Sequence, residues 1–383
     1  MNTPRPRIKV VHIVTRMNTG GVAVLIHDLV SGLDPNLYEV HLITGKCSLG
    51  EEDYIRARGI TLGEVRIDSM SRSLRPIFDL KAFFALTLTL RRLNPDIVHT
   101  HTSKAGLIGR IATRIAVPDA KVVHTFHGHL LQGYFSNVAT KVLVFTERNL
   151  AKISDVLISM GNEVKKNLLM VKIGRDDQYI VALPGVKLNQ PNIENPEVLK
   201  FKEDHVGQVI FTFVGRLSPI KRCDRILELA RSSAIAKQPI HFLLIGNGEL
   251  REQLEKDSTG LSVTFIGWQT RIEDWLAASN AGILLSDNEA VPLAMIEAGY
   301  AGLPVIATNV GSMADVVINQ VNGYLVETNK SDIIEKVLSL AKDCNLREKM
   351  GATGKELAIR NFSVAAMISK HEQIYSQLMN RPN

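Results

Sequence analysis

What most constrains this chain is a rhythm. Apolar runs of strand length, each followed by a turn and a helix-length segment, recur through both halves of its 383 residues. In the first half they fall at 8–14, 40–43, 96–99, 121–125, 155–159 and 179–183, with 61–65 weaker. The second half restarts at 209–214 and continues at 241–245, 263–266, 282–285, 304–307 and 323–326. Helix patterns intervene, among them 22–33, 77–93, 140–154, 165–172, 333–341, 346–360 and 363–379. Alternating strands and helices specify parallel sheets covered by helices, and a chain this long exceeds what one core usually serves. The expectation is α/β: two Rossmann-like parallel-sheet domains, 1–185 and 186–362, facing across a cleft. A last helix within 363–383 is expected to pack back on the first domain, and the Asn- and Pro-rich stretch before Pro196 to connect the two.

Composition removes several alternatives. A hydrophobic fraction of 45% and a charged fraction of 22% are those of an ordinary globular protein. Cys47, Cys223 and Cys344 are scattered without metal-type spacing, which argues against a structural zinc and for a reducing cytoplasm. The basic start runs into a strand, not a signal-peptide core, and the apolar run Ala82–Leu90 is too short to span a bilayer. Residues 1–185 hold 24 Lys and Arg against 16 Asp and Glu, whereas the remainder holds 21 against 23. A basic first half suits an anionic lipid surface or a phosphorylated substrate. No aromatic-interleaved basic run or helix-turn-helix pattern supports nucleic acid.

Chemistry is expected where strands end. Gly20-Gly21 follows the first strand, where backbone can approach a ligand, yet neither a full GxGxxG nor a P-loop is present. His99–Gly106 (HTHTSKAG) and Phe126–His129 follow later strands, at the sheet edge where ligands bind in such folds. His127, flanked by Gly128, ranks first among the histidines; His12, His27 and His124 read as packed side chains, and His99 and His101 are left open. The loop after 209–214 carries Arg216 and Lys221 at the mouth of a helix, a natural diphosphate clamp or a pair of solvated charges. In the stretch Glu289–Thr308, Pro292 opens a helix, Glu289 lies at its mouth and Glu297 on its second turn. The bland alternative is a capped helix with two surface glutamates. The helix 77–93, with Phe78, Phe83, Phe84, Leu86 and Leu90, is expected to cover the sheet rather than lie on a membrane.

Together these segments resemble the large retaining glycosyltransferase family of GT-B fold, family four. The likeness rests on Gly20-Gly21, HTHTSKAG, HTFHGH, VGRL followed by Lys221, and Glu289-x7-Glu297 leading into EAGYAGLPVIAT, in the family's order over nearly the whole chain. It is most similar to bacterial members that build surface polysaccharides. The resemblance implies that Arg216 and Lys221 hold a donor diphosphate with backbone N–H groups around Val291, Pro292 and Leu293. It also implies that Glu289 binds donor-sugar hydroxyls and Glu297 the ribose, and that Gly267–Arg271 lies near the base. Gly20 and Gly21 would admit the phosphate, and His127 would contact the transferred sugar. His101, Ser103, Lys104 and His129 are acceptor-side candidates. Ala290 stands where the family commonly has Gly, which bears on donor identity. No cofactor or metal is expected: there is no Asp-x-Asp, so cationic side chains and a helix end would neutralise the leaving diphosphate.

The function implied is transfer of a hexosyl or N-acetylhexosaminyl unit from a nucleotide sugar, a UDP-sugar by family habit, to a lipid-linked saccharide. The place implied is the inner face of the cytoplasmic membrane. Alternatives on the same architecture are a nucleotide-sugar epimerase and a non-catalytic nucleotide-sugar-binding protein.

Overall fold

In a computed structural model, which describes residues 6–71, 73, 75–127, 137–187, 189–232, 235, 237–289 and 291–380, every strand pairs in parallel with its sheet neighbours. The chain divides into two compact units, 1–185 with 364–383 and 186–363. In the first, β1 (Ile8–Val14), β2 (Tyr38–Thr44), β3 (Val65–Arg66), β4 (Ile97–His101), β5 (Lys121–Phe126), β6 (Val156–Ser159) and β7 (Tyr179–Val181) form one sheet. Its order is β3-β2-β1-β4-β5-β6-β7. The second unit builds its sheet from β8 (Val209–Val214), β9 (Ile240–Ile245), β10 (Val263–Gly267), β11 (Ala281–Leu284), β12 (Val305–Thr308) and β13 (Gly323–Val326). The order there is β10-β9-β8-β11-β12-β13. Strand order therefore reverses between β1 and β4, and again between β8 and β11, and such switch points open a ligand crevice at the carboxyl ends of the strands.

The helices that position the site follow from sequence signals. In the first unit they are α1 (Gly21–Gly32), α2 (Tyr54–Ala57), α3 (Pro76–Leu93), α4 (Ser103–Ala116), α5 (Asn137–Lys152) and α6 (Asn162–Met170). In the second they are α7 (Pro196–Asp204), α8 (Cys223–Arg231), α9 (Arg251–Asp257), α10 (Ile272–Leu276), α11 (Leu293–Tyr300), α12 (Lys330–Lys342) and α13 (Cys344–Phe362); α14 (Val364–Leu378) returns to the first. Strand patterning misses α7, where Pro196 sits in the first turn and Asn195 caps it by accepting from the Glu197 amide. The cap Asp53 likewise makes the short α2, accepting from Ile55 and Arg56.

α14 is tied to the first unit's sheet. Tyr38 Oη donates to the Glu372 carbonyl at 3.2 Å, and the Asp34 amide donates to the Glu372 carboxylate at 3.1 Å. The connecting stretch is itself held to the second unit. Asn189 donates to Glu273, and Asn192 and Asn195 donate to Asp274.

α3 meets the sheet through Ala82, Leu86, Thr87 and Leu90, all buried. Phe78 and Phe84, expected on that covering face, instead point outward with Ile77, Leu80 and Leu88. The helix is apolar on more than one side, so small Ala82 serves the core while bulkier neighbours stay in solvent.

Candidate functional site

In the second unit, the loops after β8 and β11 bring the expected residues together. The chain leaves β8 through Gly215, turns through Pro219–Lys221, and passes Arg222 in the left-handed region (φ 50°) before α8 begins. That turn delivers Lys221 Nζ to 2.6 Å from Glu289 Oε1, with Glu289 buried. The buried Ser286 hydroxyl donates to the same oxygen at 2.6 Å. The Glu289 carbonyl accepts the Ser312 amide at 3.0 Å. Beside it, Gly311 has φ +54°, and a Cβ there would lie 1.8 Å from that carbonyl oxygen. Only glycine fits this close approach. Backbone and side chain of Glu289 are thus both fixed at the switch point.

Arg216 does not join this pair. Its side chain, 72% exposed, bonds Glu249 at 3.1 Å. Glu297 lies on the second turn of α11, and among the described residues no cation or donor meets its carboxyl. Burial, with the Glu273 carboxylate adding repulsion, pushes its pKa up to about 7. Pro292 is the cap of α11 rather than its first residue, and the Leu293 amide is taken by the Val291 carbonyl at 3.0 Å. Gly267 ends β10 in the left-handed region (φ +73°). Arg271 is committed to Asp274 and to the Gln190 carbonyl, so it fastens the connecting stretch.

The first unit gathers histidines at its own switch point. His127 Nε2 lies 3.0 Å from His101 Nδ1, and His101 Nε2 lies 3.0 Å from His12 Nδ1. His101 is buried and both its nitrogens are occupied; the expectation that it meets an acceptor gives way to a role behind His127. Lys104 is also withdrawn, bonded to Asp79 Oδ1 and the Ser73 carbonyl, each at 2.5 Å. Ser103 opens α4, and Gly20 caps α1, with nothing nearer than the Asn18 carbonyl oxygen, 3.9 Å from where its Cβ would be. Gly21 is the first residue of α1. His129 and Ala290 lie outside the described residues.

Sequence reasoning treated His12 as packing and did not consider Thr15 or Thr102. Thr102 caps α4 at φ +67°, a backbone conformation strained for a β-branched residue. Its hydroxyl lies 2.8 Å from that of Thr15, which accepts the Ala105 amide at 3.2 Å. The ends of β1 and β4 are stitched there. His12, His99 and His101 place ligand-type nitrogens within 4.8 Å of one another. His99 nevertheless spends both nitrogens on Tyr375 and Thr125 hydroxyls at 2.7 Å, so the cluster is a hydrogen-bonded one.

Two parallel Rossmann-like sheets, each with polar side chains collected at its switch point, define a GT-B fold. Residues 19–189 match the family model described as glycosyltransferase family 4, and residues 195–357 the one described as glycosyl transferases group 1. The UDP-Gal:alpha-D-GlcNAc-diphosphoundecaprenol alpha-1,3-galactosyltransferase of Escherichia coli is 28% identical, over 99% of this chain and 99% of its own. The N-acetyl-alpha-D-glucosaminyl L-malate synthase of Bacillus anthracis is 23% identical over 94% and 95%. The solved structure of Anabaena HepE in complex with UDP has a TM-score of 0.76 at 18% identity, covering 97% of this chain and 100% of that one. The chain belongs to this family of GT-B glycosyltransferases, its first unit carrying the family 4 match and its second the group 1 match.

Proposed function

We propose that this enzyme is a retaining glycosyltransferase that moves a sugar from a UDP-sugar to a lipid-linked saccharide during bacterial surface-polysaccharide synthesis. The observation that carries the reading is the Lys221–Glu289 pair at the β8/β11 switch point. A donor bound there gives each partner something better to do: the ammonium takes a phosphate oxygen and the carboxylate takes sugar hydroxyls. Arg216, exposed on its loop, swings from Glu249 to the same diphosphate, while the α11 end adds its dipole. Glu297, without a cation or donor among the described residues, accepts the ribose hydroxyls; Gly267–Arg271 lies beside the base. In the first unit, Gly20 and Gly21 admit backbone close to phosphate, Ser103 lies on the acceptor side, and His127 meets the transferred sugar.

In the step itself the anomeric C–O bond breaks, and its electron pair leaves with the nucleoside diphosphate. The acceptor oxygen forms the new bond on the face just vacated, and its proton passes to the departing phosphate oxygen. Lys221 and Arg216 neutralise the charge that develops on that leaving group. No bound metal enters this scheme.

The E. coli relative's name specifies a UDP-sugar donor and a diphosphoundecaprenol-linked acceptor, which supports those two choices here. No helix among the described residues is long and apolar enough to cross a membrane. Peripheral attachment to the inner membrane face is supported by α3, whose exposed Ile77, Leu80, Phe84 and Leu88 follow one another at helical spacing beside Lys81, Arg91 and Arg92. That pairing of apolar stripe and cations fits an anionic lipid surface.

The test is UDP release from UDP-galactose with a GlcNAc-diphospholipid acceptor. Lys221→Ala and Arg216→Ala should each lower turnover at least tenfold, roughly the loss of one charge-assisted contact of about 1.4 kcal/mol or more. Unchanged turnover in both removes the clamp. Conversion of the nucleotide sugar without acceptor would favour an epimerase, and donor binding without release in any acceptor mixture would favour a binding protein.

A further inference from the structure

The three imidazoles of His12, His101 and His127 form an unbranched chain whose outer nitrogens, His12 Nε2 and His127 Nδ1, are buried and have no partner among the described residues. All three are neutral near pH 7. Burial holds His12 down to about 3 and His127 to about 4, with the charge of His371 acting the same way, and holds His101 well below the usual histidine range.

A neutral chain of this kind has two consistent proton orders, because each ring carries one N–H and one bare nitrogen. In the first, His127 donates to His101, His101 donates to His12, and His12 keeps an N–H at Nε2 that meets nothing in the interior. In the second, His12 Nδ1 donates to His101 Nε2, and His101 Nδ1 donates to His127 Nε2. The interior orphan is then a bare nitrogen, and His127 carries its proton on Nδ1. Each order leaves one outer N–H without a partner among the described residues, and a buried N–H without an acceptor is costly. The second order puts it on His127, which lines a cavity, and not on His12, which does not line that cavity.

The surroundings of His127 favour the same order. His127 and His371 line one cavity of about 20 Å³, together with Leu25, Leu29, Ile158 and Met367. This is room for a single water-sized group. His371 Nδ1 lies 2.8 Å from the Met367 carbonyl and must donate to it, which leaves His371 Nε2 bare. His371, one of the residues lining the cavity, therefore has a bare nitrogen to offer as an acceptor. A hydroxyl that donates to His371 Nε2 can accept from His127 only if the His127 proton is on Nδ1.

We infer that His12 and His101 are positioning residues that fix the tautomer of His127 as Nδ1–H, making His127 and His371 a donor–acceptor pair for one hydroxyl or water oxygen. That this oxygen belongs to a sugar rests on the transferase reading; the tautomer does not.

The experiment is long-range 1H–15N correlation NMR on the full chain labelled with 15N-histidine, the His127 signals assigned from their loss in His127→Gln. Wild type should show His127 protonated at Nδ1, the minor form of free histidine. His101→Phe should return His127 toward the Nε2–H form, whereas His371→Phe should leave it at Nδ1. A wild-type His127 protonated at Nε2 overturns the inference, as does a His127 tautomer indifferent to His101→Phe. If His101→Phe does not fold, the wild-type spectrum alone decides. A shift of the Nδ1 proton with UDP-galactose but not with UDP supports a sugar hydroxyl as the oxygen. No shift with either, together with slow exchange, supports a bound water. Exchange at the bulk rate overturns the enclosed site. None of these readouts needs turnover, so a failed transferase assay leaves them standing.

Discussion

Glu297 shows what a single carboxyl can report. In the unfolded chain it titrates near 4.5, and in the fold near 7, raised by burial and by Glu273. An acid whose folded pKa is raised is neutral in both states below pH 4.5 and contributes nothing there. Between pH 4.5 and 7 the unfolded state loses its proton first, so stability falls; above pH 7 the whole penalty is present. Glu297→Gln should accordingly raise the unfolding midpoint at pH 8 by about 2–4 °C per kcal/mol relieved, and by little at pH 4.5. Equal shifts at the two pH values would contradict the desolvated carboxyl. Lys221 and Glu289 could each be singled out from sequence because each lies on a loop between an apolar strand and a helix, but that they meet was not legible, since it depends on β8 lying beside β11. Nor was His12, since its partnership with His101 depends on the register in which Val14 opposes His101 and His12 opposes His99. Alternation along one strand says nothing of that diagonal.

At the scale of elements, α4 and α5 are joined by a buried ion pair that no local pattern announces. Arg110 donates to Glu147 at 2.6 Å and to the Gly106 carbonyl at 2.8 Å. Desolvation works against both charges, lowering the arginine and raising the glutamic acid. Removing one partner strands the other, so Glu147→Ala should cost about 3–5 kcal/mol in denaturant unfolding. Arg110→Met with Glu147→Leu should recover most of it; a double variant as unstable as the single one would point to packing instead. The strands and long helices were legible from apolar periodicity. The ends of α7 and α2 were not, because single caps (Asn195, Asp53) decide short helices that carry little periodic signal.

For the whole molecule, the sharpest expectation concerns where it resides. An apolar stripe on α3 that faces solvent, flanked by cations, would meet an anionic lipid surface through both terms at once. The protein should sediment with vesicles containing phosphatidylglycerol at low salt, and less so at high salt. The triple change Leu80→Glu, Phe84→Glu, Leu88→Glu should weaken that binding at least tenfold while leaving the unfolding midpoint nearly unchanged. Undiminished sedimentation would assign the attachment to another surface. The α/β class was legible from the repeated alternation alone, but which side of α3 faces out was not. Its middle, Ala82–Leu90, carries no charge on any side, and only the packing of Ala82, Leu86 and Leu90 against the sheet selects the inward side.

The fastening of residues 189–195 bears on where this chain can be divided. Read as composition, the stretch is a connector that belongs to neither half, although the domain division read from the sequence falls ahead of it, at 185/186. Asn189, Asn192 and Asn195 are, however, the donors that satisfy Glu273 and Asp274, two buried carboxylates on α10. Burial works against the charge on Asp274, and the bonds from Arg271, Asn195 and the Asn192 amide nonetheless hold its carboxyl below the usual range. A second half severed at Pro196 would lose all three asparagines, leaving Asp274 with Arg271 as its remaining side-chain partner. Severed ahead of Val186 it keeps them, along with the Val186 amide's bond to the Phe362 carbonyl. The seam of this molecule, for anyone wishing to express its halves apart, lies ahead of the whole polar stretch, between Gly185 and Val186.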